Sequence, residues 1–134
     1  MLLMTDRMQG AGLTQLFDLG DAIDSFRASG KKVYALGSSF DQGQYLLASQ
    51  ADEILMHDFG QVGLEGLAVW QNYFQNALTT LGVNVHIFRV GEYKSAVEPF
   101  SRNDMSPESR TNYTRLLNDL WRSYVSRIEM NRTL

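Results

Sequence analysis

The chain has 134 residues, 44% of them hydrophobic and 20% charged, with a formal net charge of −3. That is enough chain for one globular core and too apolar for wholesale disorder, and the acidic balance excludes the basic face of a nucleic-acid binder. The absence of cysteine removes disulfides, thiolate catalysis and zinc–thiolate sites.

Met1-Leu2-Leu3-Met4 reads as a buried strand that runs straight into Thr5-Asp6-Arg7. Termini of whole domains are ordinarily exposed and frayed, so a chain opening in mid-strand is expected to be a fragment of a longer protein, with any membrane anchor outside it. Gln9-Gly10-Ala11-Gly12 forms a loop, and apolar residues at Leu16, Leu19, Ile23 and Phe26 mark one face of a helix over residues 13–28. Ser29-Gly30-Lys31-Lys32 stops that helix, since glycine and cations suit a carbonyl end. Val33-Tyr34-Ala35-Leu36 is a short buried strand entering the loop Gly37-Ser38-Ser39-Phe40-Asp41. A short helix is predicted over residues 42–50, a strand over 52–56 and a loop over 57–63.

Trp70, Phe74, Ala77, Leu78 and Leu81 repeat the helical spacing over residues 70–81, with Gly82 as the cap. Residues 83–90 alternate through Val83, Val85 and Ile87, the pattern of a half-buried strand. Ser106-Pro107-Glu108 then supplies an N-cap, a proline at the first helical position and an early acid. Tyr113, Leu116, Leu117, Leu120, Tyr124 and Ile128 continue it as one helix of about 25 residues, long enough to pack against something beyond its own core. Strands alternating with helices imply right-handed crossovers and a mainly parallel sheet, so residues 1–134 read as a single α/β domain with flanking helices.

No apolar run approaches the roughly 18 residues that cross a bilayer. Gly10 and Gly12 lie between a strand and a helix, but Gln15 stands where a dinucleotide fingerprint needs glycine or alanine. The loop is then either a plain turn or a source of amides for an oxyanion. His57 and His86 are the only histidines and read as structural or solvated, and two histidines without cysteine do not make a metal site. No serine sits in a Gly-x-Ser-x-Gly elbow, which leaves a serine activated by a neutral lysine as the nucleophilic route. Lys94 is the best such lysine, flanked by Tyr93, Ala96, Val97 and Phe100. The residue types alone fit two descriptions: a desolvated base, or a solvated lysine paired with Glu92 or Glu98.

The run Phe88-Arg89-Val90-Gly91-Glu92-Tyr93-Lys94-Ser95-Ala96-Val97-Glu98-Pro99-Phe100, followed by Asp104-Met105-Ser106-Pro107-Glu108, resembles the signal peptide peptidase A (protease IV) family. Gln42-Gly43-Gln44-Tyr45-Leu46-Leu47-Ala48-Ser49 and Ala51-Asp52-Glu53-Ile54 agree with its N-terminal repeat in the long bacterial form. The resemblance implies a ClpP/crotonase-type fold and a serine protease with a Ser/Lys dyad that degrades cleaved signal peptides. It implies Lys94 as the general base, a nucleophilic serine in the C-terminal repeat, and a membrane-anchored tetramer on the periplasmic side of the bacterial inner membrane. Gln42 stands at the nucleophile's place, so this stretch alone is expected to be inactive. Gly10-Ala11-Gly12 also departs from the family's adjacent glycines. No cofactor is implied. A non-catalytic scaffold repeat is the alternative, and a crotonase-type acyl-CoA enzyme lacks a suitable acid pair. For Lys94 to serve as base, Glu92 and Glu98 must point away from its amine.

Overall fold

The computed structural model describes residues 1–87 and 95–132. Its first elements follow the expected order: β1 (Leu2–Met4), α1 (Leu13–Ala28), β2 (Tyr34–Gly37), α2 (Gln42–Ala48) and β3 (Glu53–Met56). The strands pair parallel in the order β1-β2-β3, with Leu3 opposite Ala35 and Ala35 opposite Ile54. Each crossover is one of the two helices, the connection parallel strands require.

Helix α1 begins where Gly12 is extended and its amide donates to Gln15 Oε1 at 3.1 Å. It ends where the Ser29 hydroxyl donates to the Phe26 carbonyl at 2.7 Å and Gly30 turns to φ +80°, a left-handed conformation that suits glycine. Leu16 and Ile23 of α1 pack with Leu46, Leu47 and Ala48 of α2 onto Val33 and Ala35. Burying such a branched side chain contributes about 1.5–3 kcal/mol. Leu19, expected on the same face, is half exposed at the edge of this contact.

Because successive strand residues face opposite ways, the register gives the sheet two unlike faces. Leu3, Ala35 and Ile54 belong to the core, whereas Leu2, Met4, Tyr34, Leu36 and Leu55 are exposed. A parallel sheet is ordinarily covered on both faces, and within this unit the helices cover one.

The chain divides into two compact units, Met1–Gly66 with Trp121–Leu134, and Leu67–Leu120. The long helix α5 (Pro107–Glu129) contributes to both. In the first unit its Trp121, Tyr124, Val125 and Ile128 join the core of α1 and α2. Arg127 reaches Asp21 at 2.7 Å and Asp24 at 3.0 Å, and Gly20 leaves room for that guanidinium, which a Cβ there would meet at 2.9 Å. Past the helix, Asn131 donates to Gln50 Oε1 at 2.8 Å and Arg132 to the Ala51 carbonyl at 2.6 Å.

The second unit holds α3 (Gln75–Thr80), a 3-10 turn (Ser95–Val97), α4 (Glu98–Ser101) and α5 as far as Leu120. Here the structure departs from the sequence pattern. The helix expected over 70–81 is confined to α3, because the Phe74 amide donates to the Pro99 carbonyl at 2.7 Å and its ring stacks on Phe100, 6.3 Å away. Trp70, the expected first anchor, is 92% exposed. Of the strand expected over 83–90, residues 83–87 are not a strand: Val83 and Val85 are exposed, and alternation without a pairing partner does not make one. Residues 88–90 lie outside the described residues.

Candidate functional site

A cavity of about 350 Å³ opens in the first unit where three pieces of chain meet. Met8, Gly10 and Ala11 come from the loop after β1, Asp41, Gln42 and Gly43 from the start of α2, and Gly63, Glu65 and Gly66 from the segment after β3. The small residues keep the walls largely backbone, a surface suited to other backbone rather than to a bulky ligand.

The start of α2 is fixed from several directions. Asp41 caps it, its carboxylate accepting from the Gln44 amide at 2.8 Å while Gln44 Oε1 accepts from the Asp41 amide at 2.9 Å. Gln44 Nε2 also donates to the Thr5 carbonyl at 2.9 Å, tying the helix to the end of β1. Gly43 is pressed against Met8 and Leu16, whose carbons lie 3.3 and 3.4 Å from where a Cβ would stand.

Gln42, which the family resemblance leads one to expect at a nucleophile's position, lies in the wall of the cavity. Its Oε1 accepts the Gly66 amide at 2.9 Å, and its backbone carbonyl accepts the Tyr124 hydroxyl at 2.9 Å. Tyr124 is 2% exposed, and its ring stacks on Trp121 with centroids 5.0 Å apart. Burial, then the charges of Tyr45 and Asp41, push its phenol well above the usual tyrosine range, so it remains a donor at all ordinary pH.

The third wall is set by close backbone approach. Phe40 bridges Val62 in parallel register, its amide donating to the Gln61 carbonyl at 2.9 Å and its carbonyl accepting from the Gly63 amide at 2.9 Å. Gly60 is where the loop passes the strand end: a Cβ there would lie 2.3 Å from the Ser38 carbonyl oxygen. Gly66 adopts φ +82°, turning its amide onto Gln42.

Among the lining residues there is no serine, threonine, lysine or histidine, and the ionisable groups are the carboxylates of Asp41 and Glu65. The glycine loop that the sequence left between turn and oxyanion loop does line the cavity, through Gly10 and Ala11. His57 and His86 do not. His57 is exposed, its Nδ1 accepting the Phe59 amide at 3.2 Å, and His86 is exposed as well. Among the described residues, no three His, Asp or Glu side chains converge as metal ligands. None of the described helices is long and apolar enough to cross a membrane.

Lys94 lies outside the described residues, as does Glu92. Glu98, the other acid expected to avoid the lysine amine, is 7% exposed and bonded to the start of α5. Its Oε2 accepts the Ser106 amide at 3.2 Å, and its Oε1 accepts the hydroxyls of Ser106 and Ser109, the latter at 2.7 Å. Burial raises its pKa, but these donors and the Arg102 charge outweigh it and hold the carboxyl below its ordinary value of 4.5. Ser106 also caps α5 as expected, accepting the Ser109 amide at 3.1 Å. That a carboxylate eight residues upstream would share this cap carries no sequence signal beyond the serines themselves.

A family model of peptidase family S49 matches residues 25–134. Protease 4 of Haemophilus influenzae is 48% identical over 126 residues, covering 94% of this chain and 20% of that protein. Protease 4 of Salmonella typhi is 45% identical over 125 residues, covering 93% and 20%. A chloroplastic serine protease SPPA of Arabidopsis thaliana is 25% identical over 101 residues, covering 75% and 15%. The chain spans about a fifth of the length of the two bacterial relatives.

Proposed function

The chain belongs to peptidase family S49, and from that premise we propose that it is the N-terminal repeat of a longer serine peptidase in which Lys94 is the general base. In this reading residues 1–134 form one repeat of ClpP/crotonase type, and the nucleophilic serine is supplied by a C-terminal repeat. The Lys94 amine, which must be neutral to act as a base, takes the serine proton as the oxygen attacks the scissile carbonyl, and returns it to the leaving amine. Water then releases the acyl group by the same base. An extended peptide is held through backbone hydrogen bonds, and no cofactor takes part.

The observation that supports the reading is Gln42, which lies in the wall of the cavity of about 350 Å³ and offers an amide where the family resemblance expects a hydroxyl. An amide does not act as this nucleophile, and its oxygen is committed to Gly66. Catalysis therefore requires a hydroxyl from elsewhere, and the lysine segment is what this chain has to contribute. The substrate class is cleaved signal peptides left at the membrane. The site of action is the periplasmic face of a bacterial inner membrane, with an anchor beyond these residues and a tetrameric assembly.

The same cavity also suits a repeat kept as an assembly scaffold, with Lys94 in an ion pair. Lys94→Ala in the full-length protein separates the two. The base reading expects peptidase turnover to fall by about 10²–10⁴-fold with the assembly intact. Retained turnover removes it.

A further inference from the structure

We infer that the open edge of β1, with an apolar cavity beside it, binds an extended apolar peptide that lies parallel to β1 and ends in a free carboxylate at Arg7. This surface shares only Met8 with the cavity around Gln42, and it does not depend on the role of Lys94.

Among the described residues β1 is paired on one side alone, by β2. The Tyr34 amide donates to the Met1 carbonyl at 2.9 Å, so Met1 and Leu3 turn their backbone groups toward β2. Successive residues of a strand point these groups to opposite sides, which leaves the amides and carbonyls of Leu2 and Met4 along the open edge. Such a row is a template for a further strand.

Beside that edge, between β1 and α1, lies a cavity of about 590 Å³, within the roughly 300–1,000 Å³ of sites that take small ligands. Leu3, Met8, Leu19, Ile23 and Phe26 form much of its wall. Leu19 belongs to the apolar stripe of α1 and is nevertheless half exposed, because it borders this space rather than another side chain. Two polar residues of the wall follow β1 in the chain. Thr5 is 6% exposed and its hydroxyl has no partner among the described residues, a costly state for a buried polar group. Arg7 is exposed and makes no ion pair among the described residues.

Backbone pairing selects an extended peptide. Its alternate side chains enter the cavity against Leu3 and Leu19, and the others lie beside Leu2 and Met4 on the uncovered sheet face. Both sets meet apolar surface, so the segment is a continuous apolar run, as strands of parallel sheets are. The charge sets its direction. A strand parallel to β1 ends beside Arg7, where its carboxylate meets the guanidinium, whereas an antiparallel one brings an ammonium there.

The test uses the full-length peptidase and residue-resolved hydrogen exchange at the Leu2 and Met4 amides, which reads occupancy of the edge whether or not the enzyme turns over. The probe is an N-acetylated hexapeptide of leucine, valine and alanine with a free C-terminal carboxylate, titrated in excess over the protein. It is expected to slow exchange at both amides about tenfold at saturation. The same peptide as its C-terminal amide should bind about threefold to fivefold more weakly. Arg7→Gln is expected to bring the two forms to equal affinity. Ala22→Trp, which adds an indole to the cavity from an exposed helix position, should weaken both about tenfold. Exchange that the probe leaves unchanged overturns the inference. So does protection of both amides without the probe, which assigns the edge to another part of the peptidase. Protection that rises with protein concentration assigns it to a second copy and overturns it as well. Equal affinity of the acid and the amide for the parent protein has the same consequence, since the carboxylate is part of the assignment.

Discussion

Tyr124→Phe removes one oxygen from the first unit and nothing else. The ring remains 2% exposed and stacked on Trp121 at 5.0 Å, so the apolar burial is untouched. What disappears is the 2.9 Å bond from the hydroxyl to the Gln42 carbonyl, which ties α5 to the first residue of α2. A buried neutral hydrogen bond contributes about 1 kcal/mol net, which lowers the folded-to-unfolded ratio about fivefold. For a chain of this size that corresponds to a melting temperature lower by about 3–5 °C. Tyr124→Ala loses the ring as well and is expected to cost about 3–5 kcal/mol. Urea unfolding of the purified chain, followed by tryptophan fluorescence, measures both. Trp121 lies against the affected ring, and Trp70, 92% exposed, contributes a nearly constant background. If Tyr124→Phe leaves the midpoint unchanged, the hydroxyl is not a tie. If it costs as much as Tyr124→Ala, the hydroxyl does more than hold the Gln42 carbonyl, and the value of about 1 kcal/mol for this bond is refuted.

Gly60→Ala places a carbon 2.3 Å from the Ser38 carbonyl oxygen and 2.6 Å from Met56 Cγ, and is expected to cost about 1–3 kcal/mol. Gly10→Ala, with nothing within 4 Å of its Cβ, is the control and should be near neutral. Equal urea midpoints for the two variants would show that the loop at residue 60 yields freely. Glu98 gives a prediction in pH. Its folded pKa lies below the ordinary 4.5, so its stabilisation is fully present above about that pH and is lost as pH falls through the depressed folded value. The stability deficit of Glu98→Gln against the parent should therefore narrow on acidification from about pH 6 to pH 3. A deficit constant across that range would mean that Glu98 is not ionised in the folded chain.

Much of the first unit is legible in the sequence because its signals are local. Apolar spacing through Leu16 and Ile23 and the glycine at Gly30 each act within a few residues. The structure returns α1 as Leu13–Ala28, the range that this pattern marks. The stripe of Trp70, Phe74, Leu78 and Leu81 has the same helical period and yields only Gln75–Thr80. Periodicity proposes a face, but a face becomes a helix when something packs on it, and Trp70 and Leu81 are exposed at 92% and 75%. The alternation at Val83 and Val85 fails as a strand for the same reason.

By itself, the sequence determined which segments of the first unit fold locally and that cysteine chemistry is absent from the chain. Each of these depends on residue identity or short-range spacing, whereas the expectation that Gln42 stands at a nucleophile's place comes from the family resemblance. Only the tertiary structure decided that Gln42 shares a cavity wall with Gly10 and Glu65, more than twenty residues away on either side. The same holds for Tyr124 as the tie on the Gln42 carbonyl, 82 residues on, and for Glu98, which is withheld from solvent by two serines of a later helix. Contacts of that kind depend on how the parallel register and α5 bring distant backbone together, and a hydrogen bond across such a distance leaves no period in the chain to read.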